Sequence, residues 1–273
     1  MNNRENNSEL PVTAAHDPTQ PIGIFDSGVG GISVLKHIHA LLPAEHLLYF
    51  ADSLHAPYGN KTPEFICERA FAITDFLIAQ DVKALVVACN TATAAAVDKL
   101  RAHYTLPIIG MEPAVKPAAA ASQNGVIGVL ATVGTLKSAQ FAALLEHYGQ
   151  HVRVVTQACP GLVECIERGE LQAEATRQLV AGYVTPLLDA GVDTIVLGCT
   201  HYPFVRELIA EIAGSQVALI DTGAAVARQL MHRLEGNSLL RERSGRGVVK
   251  FWTNSPASDA EQVIVSLWGG AAE

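Results

Sequence analysis

Two cysteines of this chain stand in matching surroundings. In ALVVACNTAT and in TIVLGCTHYP an apolar, β-type run ends in a small residue, then a thiol (Cys89 or Cys199), then a threonine (Thr91 or Thr200) and residues that favour a helix. At the carboxyl end of a strand entering a helix, a side chain meets free N–H groups and a partial positive charge. Such a place can bring a thiol's pKa from about 8.5 toward neutrality. A free cysteine is also commonly a small buried hydrophobe, and that alternative stands for either residue alone. The repeated context argues for chemistry. Two thiols on opposite faces of one carbon can remove a proton from one face and return one to the other, a thiolate on one side and a thiol on the other, with roles exchanged by direction.

Other residues fall where they would serve such a site. FDSGVGGIS carries Asp26 and Ser27 at the end of the first strand, then glycines whose N–H groups can approach an anion. Ser33 occupies the third glycine position of a dinucleotide fingerprint, which weakens that reading. Asp26 reads either as a helix cap or as a group orienting a thiol or a substrate ammonium. ADSLHAPYGNKT brings Pro57, Tyr58 and Gly59 to the same sheet edge, as substrate-lining residues or as a turn with a packed tyrosine. Asn90, Thr91 and Thr200 add donors suited to a carboxylate or to a planar anionic intermediate; Thr91 can equally be a cap. His201, next to Thr200, titrates near neutrality and can handle the proton of Cys199. The DTG at Asp221–Gly223 follows a strand and opens a helix, unlike the all-β aspartic proteases.

The elements that must position these groups alternate along the chain. Short buried runs (22–25, 47–51, 84–88, 107–109, 126–130, 152–156, 194–197, 217–220, 248–253) alternate with amphipathic stretches (32–42, 63–80, 91–103, 136–148, 173–190, 224–234 and one near 258–268). This predicts an α/β fold of parallel sheets flanked by helices. The repeated cysteine context suggests two similar domains with matching half-sites, with seams near Met111–Pro113 and Asp221. Composition agrees with a compact enzyme of 273 residues: 49% of residues are hydrophobic and 17% charged. A net charge of -8 disfavours a general nucleic-acid binder. No apolar run is long enough to span a bilayer, and the polar start MNNRENNSELPVTAAHDPTQ has no signal-type apolar region. A cytoplasmic protein with a disordered tail over residues 1–20 is expected. The five cysteines include no C-x-x-C and no zinc-type pairing with histidine, so neither a disulfide framework nor a metal is expected.

With FDSGVGG, PYGNKT, ACNTAT and GCTHYP in this order, the chain resembles the glutamate racemases of the aspartate/glutamate racemase superfamily, from about Pro21 to at least Val226. The resemblance implies two α/β domains with the active site between them: 21–112 plus 222–273 as the first, 113–221 as the second. It implies that Cys89 deprotonates D-glutamate and Cys199 L-glutamate, assisted by Asp26 and His201, with Glu167 in ACPGLVECIE as a further acidic helper. Asp26, Ser27, Pro57, Tyr58, Gly59, Asn90, Thr91, Thr132, Thr135, Thr200 and His201 would bind the substrate, Thr132 and Thr135 through a carboxylate. The resemblance implies that Cys67, Cys159 and Cys165 are structural. No cofactor or metal takes part in that family's chemistry, and its product, D-glutamate, serves peptidoglycan synthesis. The tail resembles an extension found in members regulated by a peptidoglycan precursor, which makes such a precursor a partner to test alongside a homodimer. Two rival readings remain at this point: racemisation of aspartate or another small acid, and a binding protein without catalysis.

Overall fold

The computed structural model describes residues 17–149, 151–242 and 245–269. Among them nine strands and eleven α-helices follow in the order β1 (Ile22–Asp26), α1 (Ile32–Leu41), β2 (Leu47–Ala51), α2 (Pro63–Ile78), β3 (Ala84–Val87), α3 (Asn90–His103), β4 (Ile108–Ile109), α4 (Val115–Ala121), β5 (Val126–Ala131), α5 (Val133–Lys137), α6 (Ala139–Tyr148), β6 (Arg153–Ala158), α7 (Leu162–Glu167), α8 (Glu174–Asp189), β7 (Thr194–Leu197), α9 (Arg206–Ala213), β8 (Ala218–Ile220), α10 (Gly223–Gly236), β9 (Val249–Thr253) and α11 (Ala257–Trp268). The strands form two sheets, ordered β4-β3-β1-β2-β9 and β6-β5-β7-β8, and every pairing is parallel. Read from the other edge, the second sheet runs β8-β7-β5-β6 and repeats the first four strands of the first sheet, with β9 as an added edge.

The apolar runs without alternation follow from this layering. β1, β3 and β7 are buried along their whole lengths because helices cover both faces of each sheet. Ile22, Ile24 and Val86 pack on one face of the first sheet with Val226, Leu230, Val263 and Ile264 from α10 and α11. Phe25, Leu85 and Val87 pack on the other against Ile73, Leu77 and Leu100 of α2 and α3. The second sheet has two cores of the same kind. The chain therefore crosses from the first lobe to the second after β4 and returns after β8.

Two of the departures from the expectation lie at 136–148 and in the tail. The stretch expected as one helix over 136–148 is two, because Ser138 takes an extended conformation (ψ 146°) and its hydroxyl accepts from Phe141 N–H as the cap of α6. Such a cap is worth about 1 kcal/mol. Of the expected tail over 1–20, residues 1–16 lie outside the described residues, whereas 17–20 form a turn. Thr19 N–H donates to the Asp17 carboxylate at 2.7 Å, and Lys83 Nζ, buried against Glu45, donates to Pro18 O at 2.6 Å. Among the described residues no helix is long and apolar enough to cross a membrane.

Candidate active site

Parallel sheets present ligand sites beyond their carboxyl ends, where the strand order reverses. In the first sheet that point lies between β1 and β3, in the second between β5 and β7. Asp26 ends β1 with Ser27 next to it, and Cys89 follows β3; Thr132 follows β5 and Cys199 follows β7. Both half-sites are buried: Cys89 is 5% and Cys199 7% exposed, and Asp26, Ser27, Asn90, Thr91, Thr135, Thr200 and His201 are all buried.

Cys89 itself caps α3, its Sγ accepting from Ala92 N–H at 3.4 Å. Its thiol donates toward Ser27 Oγ at 3.8 Å, and Ser27 donates to Asp26 Oδ1 at 3.3 Å. From the other lobe Thr200 Oγ1 donates to Asp26 Oδ2 at 3.2 Å. Asp26 also accepts from Gly31 N–H at 2.7 Å, so it is both the cap of α1 and the carboxylate shared by the two half-sites. Burial raises the Asp26 pKa, against the pull of the nearby His201 charge. Burial likewise pushes the Cys89 thiol well above its ordinary value; the Asp26 and Cys199 charges add to this, and the Ala92 N–H opposes it.

Cys199 Sγ lies 3.7 Å from His201 Nδ1, and His201 Nε2 lies 2.6 Å from Glu167 Oε1 on α7. Burial works against a charged His201, but the bonds to Cys199 and Glu167 and their charges outweigh it and hold its pKa well above 6.5. The same Glu167 oxygen accepts from Val29 N–H at 2.7 Å, and Oε2 accepts from Ser53 Oγ at 2.9 Å. In the first loop it is thus Val29 N–H, not a glycine N–H, that meets the Glu167 carboxylate. The glycines make room: a Cβ on Gly28 would stand 2.0 Å from Glu167 Oε1, and one on Gly30 2.2 Å from His201 Nδ1.

Three hydroxyls meet across the lobes. Thr91 Oγ1 lies 2.9 Å from Thr132 Oγ1 and 3.1 Å from Thr135 Oγ1, and the last two are 3.0 Å apart. Asn90 is buried, and neither end of its amide has a hydrogen-bond partner among the described residues. Gly59 packs so closely on Thr132 that a Cβ there would stand 2.6 Å from the Thr132 Cβ. Pro57 leads into the 58–60 turn and lines a small cleft of about 70 Å³ with Thr132 and Cys159. Among the described residues no group of three or more His, Cys, Asp or Glu is arranged to hold a metal ion.

The family model for Asp/Glu/Hydantoin racemases matches residues 22–230. The chain belongs to this family. It is 58% identical over 254 residues to a glutamate racemase of Ectopseudomonas mendocina, covering 93% of this chain and 96% of the relative. Among solved structures it is similar to a glutamate racemase of Bacillus anthracis, with TM-score 0.85, 32% identity and coverage of 93% of this chain and 96% of that one. It is similar also to the Escherichia coli glutamate racemase in complex with L-glutamate and the activator UDP-MurNAc-Ala, with TM-score 0.81, 31% identity and coverage of 92% and 94%. The chain is thus an isomerase of the racemase class.

Sequence reasoning missed one group of this racemase that holds the turn carrying Tyr58 and Gly59. Asp52, buried at the end of β2, accepts from Tyr58 Oη, from Arg69 Nε and Nη2 at 3.0 and 2.8 Å, and from Asn254 Nδ2 at 2.5 Å, with His55 Nδ1 at 3.0 Å. Burial and then the Asp52 charge hold the Tyr58 hydroxyl far above its ordinary range, so it remains a donor. A signal was present: FDS after β1 recurs as ADS after β2. Burial pushes the Cys159 thiol up to about 12.

Proposed function

We propose that this racemase interconverts L- and D-glutamate with Cys89 and Cys199 as the acid/base pair, without a cofactor, in the cytoplasm, and that it supplies D-glutamate for peptidoglycan. One observation supports the two-thiol reading above the others. A single buried carboxylate, Asp26, is reached by hydrogen bonds from Ser27, the partner of Cys89, and from Thr200, the neighbour of Cys199. Both sulfurs thereby border one site. A thiolate on one face takes the α-proton, and the electron pair left on carbon spreads into the α-carboxylate. The thiol opposite then gives its proton to the other face, and the two sulfurs end with their protonation exchanged. The Asn90 amide at the start of α3, without a partner among the described residues, can donate to the carboxylate as its charge grows. The Thr91, Thr132 and Thr135 hydroxyls can hold the distal carboxylate, and their distance from the thiols would set the preference for glutamate over aspartate. One methylene gives roughly 10- to 200-fold discrimination.

The test is α-deuterium uptake and loss of optical rotation for both enantiomers of glutamate and of aspartate in D₂O, with nothing added and then with a UDP-linked muramoyl precursor. Glutamate should exchange, and Cys89→Ser and Cys199→Ser should each lower kcat by about a thousandfold. A variant with full activity would refute the two-thiol mechanism, and preferential exchange of aspartate would refute the substrate.

A further inference from the structure

The reacting groups are buried, with Cys89 5% and Cys199 7% exposed, so a substrate must come in along some path. Among the described residues, clefts of three sizes touch the site residues. One of about 70 Å³ beside Pro57 is below the size of ordinary ligand sites and carries Glu164. A second, about 290 Å³, reaches Cys199 and Thr200 but mixes Lys36 and His37 with Asp221. The third, about 550 Å³, runs between α3 and the 58–60 turn on one lobe and α5 and α6 on the other. Its floor holds Gly59 and Thr91, its walls small residues such as Ala94, its rim Lys61 and Lys137, and none of the described residues lining it is acidic. The whole chain carries a net charge of -8, which repels an anion at long range. Two lysines at one mouth reverse that repulsion locally.

We infer that the cleft between Lys61 and Lys137 is the vestibule through which the anionic substrate reaches the buried thiols, drawn by these two lysines and admitted where Gly59 and Thr91 meet α5. The charge of the substrate rests on the glutamate reading; the path does not. The floor is thin. A Cβ added to Gly134 would stand 3.1 Å from Gly59 O and 3.1 Å from Thr91 Cγ2, so the lobes meet there through glycine backbone and one methyl group. A small parting of α5 from the 58–60 turn would open the way to the hydroxyl triangle.

The test uses the full chain and two alkylating agents of similar size, anionic iodoacetate and neutral iodoacetamide, with labelling of Cys89 and Cys199 read by peptide mass. In Lys61→Gln/Lys137→Gln the ratio of iodoacetate to iodoacetamide rate should fall about fivefold at low salt and recover toward wild type at 0.5 M salt, where the screening length is about 4 Å. The KM for glutamate should rise by a similar factor with kcat unchanged. Ala94→Phe, which fills the cleft, should slow both agents equally. Lys36→Gln, on the rival cleft, should change neither. An unchanged ratio in the double variant, or a fall caused by Lys36→Gln instead, would overturn the assignment. If the wild type does not racemise glutamate, the functional reading fails, while the alkylation ratio still decides the path.

Discussion

His201 carries an unusual load for a residue with almost no exposure. It sits between a thiol at 3.7 Å and a carboxylate at 2.6 Å, and those partners outweigh the burial that opposes its charge. Its folded-state pKa therefore lies above the ordinary 6.5, so the folded protein binds this proton more tightly than the unfolded chain does. That contribution to stability is complete below about pH 6.5 and is lost as pH climbs through the raised value. Glu167→Gln removes one of the two partners, and a hydrogen bond to a charged group contributes about 2 kcal/mol. Urea unfolding should show the wild type ahead by about that amount at pH 6, with the gap narrowing toward pH 9. A gap constant across pH would mean a neutral imidazole, with Glu167 acting only on Val29 and Ser53. The sequence made His201 readable because it is two residues from Cys199. Glu167 was readable only through family resemblance, since its partners lie 34 and 138 positions away.

The turn that carries Tyr58 and Gly59 is short, and its position comes from what lies beneath it. Asp52 ties the turn to Arg69 on α2 and to Asn254 after β9, three segments joined on one carboxylate. Asp52→Ala would leave Arg69, partly buried, without its charge partner, an effect of about 3 kcal/mol once solvent screening is allowed for. Thermal unfolding should fall by roughly 8 °C. The KM for glutamate should rise more than kcat falls, because the loop that lines the site is loosened while both thiols keep their own contacts; equal losses in a variant that unfolds normally would remove Asp52 from the positioning of that loop. Strands were legible because burial on both faces leaves an apolar run in the sequence. The short α7 and α9 were not, since a helix of six or eight residues shows too few turns for a period to emerge. Ser138 is legible in retrospect as a cap, but a serine inside an amphipathic stretch gives no sign of which role it takes.

The two lobes repeat one topology, and the site exists only where their strand ends face each other. The repeat around Cys89 and Cys199 was legible because each thiol ends the strand next to its sheet's reversal point. The closeness of the lobes was not, because it depends on atoms that the first loop lacks. Neither Gly28 nor Gly30 has a positive φ, so the backbone there would accept a side chain; the obstacle is Glu167 and His201 arriving from the second lobe. Gly30→Ala isolates that effect. Each lobe keeps its own sheet and cores, so far-UV circular dichroism should be unchanged. The methyl group must push His201 away from Cys199 or hold the lobes apart, and even 1 Å of misplacement can lower turnover about a hundredfold. Lobes held apart should also expose what closure hides, so Cys89 and Cys199 should both react faster with iodoacetamide than in the wild type. Lost activity with unchanged thiol reactivity would mean that the lobes still close and that only the His201–Cys199 contact was broken. Full activity would mean that the interface yields more easily than its packing implies.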